Sequence, residues 1–211
     1  MLLQSFIPLY MTEREKQIIV GTVLGDSSIR RGKTDKYNFL TCQHGPNQKE
    51  YCEWKAGQLG QVSLKTTCKE YTRLTPNKKT GKIYSIVAMR VRNSPQLDYF
   101  RDIFYVDNKK VITDEVLQYY TPLAMAVHFM DDGSTNKGSR SGIRSAGNCM
   151  IATCGFDKGS ITRFRDYLLS EYGVETTHTK EDKVLVRMSS KSQFLELITP
   201  YIIESMQYKV S

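Results

Sequence analysis

The sequence predicts an α+β protein built from two similar halves, each reading helix, two strands, helix, two strands, helix. Three observations carry this. Two helices of small and apolar residues, within 19–28 (IVGTVLGDSS) and 121–135 (TPLAMAVHFMDDGST), each run into an acid. Those acids, Asp26 and Asp132, lie 106 residues apart, half of the 211-residue chain. After each, alternating patterns typical of strands and three-to-four-residue patterns typical of helices follow in the same order.

In the first half, residues 1–12 are a lead-in. Thr12 caps the first helix, with Glu15 at capping-box spacing. Residues 27–36 hold Arg30, Arg31, Lys33 and Lys36 around Gly32, a basic hairpin. A strand at 37–44 ends in the turn residues Gly45, Pro46 and Asn47. Tyr51, Trp54, Leu59 and Val62 fall at helical spacing and belong under a sheet. Residues 64–73 alternate, with Lys65, Thr67, Lys69, Tyr71 and Arg73 on one face. Residues 83–92 form the clearest strand: Val87, Met89 and Val91 face one way, Ala88, Arg90 and Arg92 the other. Such a face suits a nucleic acid and equally a solvated sheet. Leu97, Phe100 and Phe104 mark a short helix, and residues 107–110 lead to a connector at 113–120.

The second half repeats this order. Residues 136–147, rich in Gly, Ser and Arg, make a second basic hairpin containing Arg140 and Arg144. A strand at 149–156 precedes a helix carrying Ile161, Phe164, Leu168 and Tyr172. Strands at 174–180 and 183–189 follow. Residues 184–188 echo residues 87–91 at an offset of 97. Phe194, Leu197, Ile198 and Tyr201 close the chain in a helix.

Bulk composition narrows the function classes. Lys and Arg number 30 against 22 acids, a net charge of +8 that favours a polyanionic partner. No apolar run reaches membrane-spanning length, and the apolar start lacks the basic region of a signal peptide. Five cysteines without a CxxC pair read as thiols in a reducing intracellular compartment. Three scattered histidines, 44, 128 and 178, argue against a zinc site.

The second acidic helix carries the chemistry. Thr121-Pro122 starts it, with Pro at the first helical position, and Gly133 supplies its stop. Asp131 and Asp132 sit in its last turn, where the helix end is already partially negative. Acids there make sense if a cation binds, and oxygen ligands suit magnesium. A plain Asp-Gly turn closing a buried helix accounts for the same residues.

The two helices together resemble the LAGLIDADG homing endonucleases, in particular intron-encoded single-chain members with two copies of the motif. The copies here are residues 19–27 (IVGTVLGDS) and 125–133 (MAVHFMDDG). Val127 stands where a small residue usually meets the partner helix, which implies looser packing there, and Ser27 replaces the final Gly. The resemblance implies αββαββα halves, 1–112 and 113–211, paired about a pseudo-two-fold axis through the motif helices, with antiparallel saddle-shaped sheets lying on double-stranded DNA. It implies Mg²⁺ held by Asp26 and Asp132, with the carbonyls of Gly25 and Asp131 as further ligands. Mn²⁺ is expected to substitute, and Ca²⁺ to support binding without cleavage.

Further catalytic residues follow from the same resemblance. Lys110 and Lys209, each followed by Val, match the family's basic residue near the metals; the other reading of them is two surface lysines. Gln43 matches a polar active-site position, with Cys154 as its repeat counterpart. The strand residues implied to meet DNA are Arg30, Arg31, Lys65, Lys69, Arg73, Arg90, Arg92, Arg140, Arg144, Lys180 and Arg187. The implied activity is a double-strand break at one long asymmetric site by Mg²⁺-dependent phosphodiester hydrolysis, promoting intron mobility. The alternative is an intron-RNA maturase or DNA-binding protein of the same fold that does not cut, with its own intron RNA as partner. A monomer in an organelle or in a prokaryotic or phage-infected cytoplasm is expected. An intein is disfavoured, since no flanking splicing segment is present.

Overall fold

The computed structural model describes residues 11–60, 65–72, 76, 81–92, 94–135 and 147–211. Arg73, Arg140, Arg144 and the second basic hairpin lie outside the described residues. The chain divides into two compact units, Met1–Ile18 with Asp26–Asp102, and Ile19–Gly25 with Ile103–Ser211.

Helix α1 (Glu13–Leu24) opens on the expected capping box. The Thr12 N–H donates to the Glu15 carboxylate at 2.8 Å, and the Glu15 N–H donates to the Thr12 hydroxyl at 3.2 Å. The first unit then builds strands β1 (Ser27–Arg30), β2 (Phe39–His44), β3 (Thr66–Thr72) and β4 (Ser85–Val91), with α2 (Lys49–Gly60) and α3 (Pro95–Phe104). The strands form one antiparallel sheet in the order β1-β2-β4-β3.

Alternation sets its two faces. Leu40, Cys42 and His44 of β2 and Val87, Met89 and Val91 of β4 are buried. Tyr51, Cys52, Lys55 and Leu59 of α2 are buried too, and the Cys52 thiol contacts the Val87 carbonyl. Gln43 and Arg90 are exposed on the opposite face. Strand β3 departs from strict alternation: Lys69 to Thr72 are all exposed, as an edge strand reaching past its cover.

The second unit repeats the plan. Helix α5 (Pro122–Asp132) is followed by β7 (Gly133–Thr135), β8 (Cys149–Ile151), α6 (Lys158–Tyr172), β9 (Thr176–His178), β10 (Val184–Val186) and α7 (Lys191–Ile198). Its sheet has the order β7-β8-β10-β9, the same topology as the first. Helix α6 is punctuated at both ends: Asp157 accepts from the Ser160 N–H, and Gly173 takes the left-handed conformation. The expected strand at 149–156 ends at Ile151.

Two features differ from the sequence reading. Residues 105–110 form a hairpin, β5 (Tyr105–Val106) with β6 (Lys109–Lys110). Asp107 and Asn108 at its tip both have positive φ, the geometry of a two-residue turn. The expected connector then contains a short helix, α4 (Asp114–Leu117).

The second difference is register. Cys42 pairs with Ser27 and Met89, whereas Ile151 pairs with Gly133 and Val184. Met89 therefore corresponds to Val184, an offset of 95 rather than 97. Arg90 corresponds to Leu185 and Arg92 to Arg187. Gln43 corresponds to Ala152, not Cys154. A slip of two residues keeps every side chain on its face, so the apolar pattern fits both alignments and only the pairing selects one.

Candidate active site

The motif helices meet through glycine. A Cβ on Gly21 would run into the Ala124 carbonyl oxygen and come within 2.7 Å of the Val127 Cβ. A Cβ on Gly25 would run into the Asp131 Cβ, with Asp131 Oδ2 at 2.8 Å. Within the motifs, position 21 matches 127 and position 25 matches 131. Each residue thus meets its own counterpart, the pattern of a local two-fold axis between helices. The looser packing expected at Val127 does not occur, because Gly21 brings a bare backbone to the valine.

Gly133 marks the helix stop as expected, but not through a left-handed turn. It is extended, at φ −87°, and begins β7. The Phe129 ring occupies the place its Cβ would take. Helix α5 ends because the chain passes directly into the sheet.

Both helix ends hold a lysine. The Lys110 ammonium donates to the Val23 carbonyl at 2.6 Å and reaches the Gly25 carbonyl at 3.4 Å. The Lys209 ammonium donates to the Gly133 carbonyl at 2.7 Å and the Asp131 carbonyl at 3.2 Å. Lys110 arrives on the β5–β6 hairpin. Lys209 arrives on a 3-10 turn, Glu204–Lys209, which the Thr135 hydroxyl ties down by donating to the Lys209 carbonyl at 2.7 Å. These cations offset the partial negative charge of the two helix C-termini. The two carbonyls expected to face a metal, Gly25 and Asp131, are the ones the lysines share.

The acids differ in setting. Asp26, directly after Gly25, has a side chain 39% exposed. Asp131 is buried, and Asp132 is half-buried. Carboxylate and carbonyl oxygens are a donor set that suits a divalent metal ion. The residues present therefore fit such an ion.

A residue without an assigned role joins Asp26. His44 is buried on the inner face of β2, and its Nδ1 lies 3.6 Å from Asp26 Oδ2. Its place at the end of the alternating series Leu40, Cys42, His44 was the signal available in sequence. Gln43, next to it, points outward and donates to the Tyr71 hydroxyl at 3.3 Å.

His128, inside α5, is a core residue. Its Nδ1 lies 3.0 Å from the Tyr120 hydroxyl, and burial, aided by the Lys110 charge, lowers its pKa to about 3. It is neutral at physiological pH.

The expected DNA-facing residues separate by sheet. Arg30, Lys69 and Arg90 are exposed on the outer face of the first sheet, and Lys65 and Arg92 flank it, bridged by the Arg92 N–H to the Lys65 carbonyl. Arg90 lies over the Phe39 ring at 4.1 Å, and Thr67, Lys69, Arg90 and Arg92 line a groove. Arg31 pairs with Asp98 at 3.4 Å. In the second sheet the described outer positions are Ser134, Met150, Thr177 and Leu185. Lys180 is exposed after β9, and Arg187 follows β10, 3.9 Å from Glu175.

A family model described as the LAGLIDADG DNA endonuclease family matches residues 16–195. The chain belongs to that family. Among its relatives, Protein RecA of Mycobacterium shimoidei is 29% identical over 215 residues, covering 96% of this chain and 48% of that protein. The chain thus spans about half the length of the RecA relatives it matches. DNA endonuclease I-ChuI of Chlamydomonas applanata is 27% identical over 220 residues, covering 95% of this chain and 96% of that one. The solved homing endonuclease I-WcaI, bound to its DNA recognition sequence, has a TM-score of 0.79 at 22% identity, covering 95% and 87% of the two chains. That likeness is one of fold.

Proposed function

We propose that this protein is a site-specific homing endonuclease that breaks both strands of a long asymmetric DNA target and so promotes intron mobility. One observation carries the reading: two motif helices packed glycine to counterpart, each ending in acids and each held by a lysine at its terminal carbonyls. A DNA-binding protein needs the basic sheet face but not this paired arrangement.

In this reading 1–112 and 113–211 are the two repeats of a monomer. Asp26 and Asp132 would each supply a carboxylate to Mg²⁺, and the Gly25 and Asp131 carbonyls would add oxygens to it; a carbonyl oxygen has a second lone pair beyond the one facing its lysine. When bound, the ion lowers the pKa of water and polarises the phosphate. Lys110 and Lys209 place positive charge where the phosphate becomes more negative. Gln43 and the exposed cations of the first sheet orient the duplex, Arg toward guanine edges and Lys toward phosphate. Mn²⁺ substitutes, whereas Ca²⁺ supports binding alone.

No helix among the described residues is long and apolar enough to cross a membrane, and none of the five cysteines forms a disulfide. A reducing compartment, organellar or prokaryotic, suits both. The deciding experiment incubates the protein with a randomised library of duplex DNA and Mg²⁺ and sequences the ends. Breaks at one long, asymmetric site are expected. Retention of intron RNA without any break would replace this reading with a maturase.

A further inference from the structure

A buried hydrogen-bonded chain runs through the first unit to His44, which lies beside Asp26. The Lys55 ammonium, fully buried in α2, donates to the Cys42 sulfur at 3.2 Å and lies 4.3 Å from the centre of the Tyr51 ring. The Cys42 sulfur lies 3.0 Å from His44 Nε2. His44 Nδ1 lies 3.1 Å from Gln48 Oε1 and 3.6 Å from Asp26 Oδ2. Asp26 is exposed and Gln48 half-buried, whereas Lys55, Cys42 and His44 are buried.

The chemistry gives the chain a direction. An ammonium only donates, so Cys42 accepts from Lys55. Both oxygens facing Nδ1 are acceptors, so Nδ1 carries the proton. With the imidazole neutral, Nε2 is the acceptor of the Cys42 S–H. The donors line up from Lys55 through Cys42 and His44 toward the carboxylate. At 3.6 Å the last step is longer than a hydrogen bond, but contacts around a reacting group are often long before loading and tighten afterwards.

Among the described residues, the matching positions of the second half carry different side chains. Register places Ile151 opposite the role of Cys42 and Thr153 opposite that of His44. The Thr153 hydroxyl donates to the Asp182 carbonyl instead.

We propose that His44, locked in its tautomer by Cys42 and Lys55, is a positioning residue that orients the Asp26 carboxylate toward a bound divalent ion. This rests on the metal-dependent reading above. Neighbours that orient a metal ligand change affinity by roughly ten- to a hundredfold.

The test uses Mn²⁺ as probe, titrated into the full chain and followed by its EPR signal, with thermal unfolding measured alongside. His44→Ala should weaken Mn²⁺ binding roughly ten- to a hundredfold. His44→Asn, which keeps an N–H near the place of Nδ1, should recover most of it. Cys42→Ala should weaken binding in the same direction by a smaller factor. In an Asp26→Asn background, His44→Ala should add no further loss, because its effect passes through that carboxylate. Wild-type binding in His44→Ala, an undiminished loss in the Asp26→Asn background, or no recovery in His44→Asn would each overturn the proposal. So would nitrogen coupling in the wild-type Mn²⁺ spectrum, which would make His44 a ligand. If Asp26→Asn itself leaves Mn²⁺ binding unchanged, the metal-dependent reading falls as well; if only the His44 coupling is missing, that reading stands and the positioning role alone is lost.

Discussion

Gly21 lies so close to Val127 that a Cβ on the glycine would come within 2.7 Å of the valine Cβ, and it would also strike the Ala124 carbonyl oxygen. The second contact is with backbone, which cannot rotate away. Gly21→Ala should therefore destabilise the fold by about 1–3 kcal/mol, the usual cost of overpacking. Val127→Ala should not restore it, because the Ala124 carbonyl remains. Chemical denaturation of the two single variants and the double variant checks this.

Asp26→Asn and Asp132→Asn each remove a ligand charge and keep the side chain's shape. Cleavage should fall by roughly a thousandfold or more, since several kcal/mol of barrier are at stake and about 1.4 kcal/mol is a factor of ten. DNA affinity in Ca²⁺ should change far less, because the sheet contacts remain. Stability should hold or rise slightly, as an acid leaves a helix C-terminus. Wild-type cleavage by either variant would remove that acid from the mechanism.

Lys110→Met and Lys209→Met keep much of the apolar stem and lose the ammonium that faces two helix-end carbonyls. Each should slow single-turnover cleavage by about a hundredfold to a thousandfold, the usual effect of removing one stabilising charge. If both variants lose melting temperature but cut at normal rates, the lysines serve as helix caps and nothing more.

DNA binding should weaken steeply with salt, because the outer face of the first sheet displaces counterions. Arg90→Ala or Lys69→Ala should each reduce the slope of log K against log[salt] by about 1. Leu185→Ala, at the position matching Arg90, should leave the slope unchanged. Fluorescence anisotropy over a salt series measures all three.

Burial holds the pKa of His128 at about 3, below its unfolded value near 6.5. Above 6.5 both states are neutral and the group makes no difference. As pH falls from 6.5 toward 3, the unfolded state takes up a proton that the folded state refuses. The folding constant should then drop by up to about tenfold per pH unit. His128→Leu should flatten this dependence in unfolding measured between pH 7 and pH 4.5.

Much of the molecule was legible in its sequence. The repeat of an apolar helix ending in an acid located both motif helices, and alternation placed Val87, Met89 and Val91 inside and Arg90 outside. The Thr12–Glu15 capping box and Pro122 marked helix starts correctly. All of these depend on periodicity or on neighbours a few residues away, so the local chain determines them.

Tertiary structure decided what periodicity leaves degenerate. The strand register shifted by two, which exchanged Cys154 for Ala152 opposite Gln43 and left Leu185 in the place of Arg90. Lys110 and Lys209, linked in the sequence by their Lys-Val pairs, reach their helix ends from a hairpin and a 3-10 turn, so only the packed chain shows which carbonyls they meet. His44 met Asp26 only because β1 and β2 pair, bringing together residues 18 positions apart. Through-space contacts of this kind depend on which register and which helix crossing leave no clash, and that is a property of the packed chain rather than of any stretch of it.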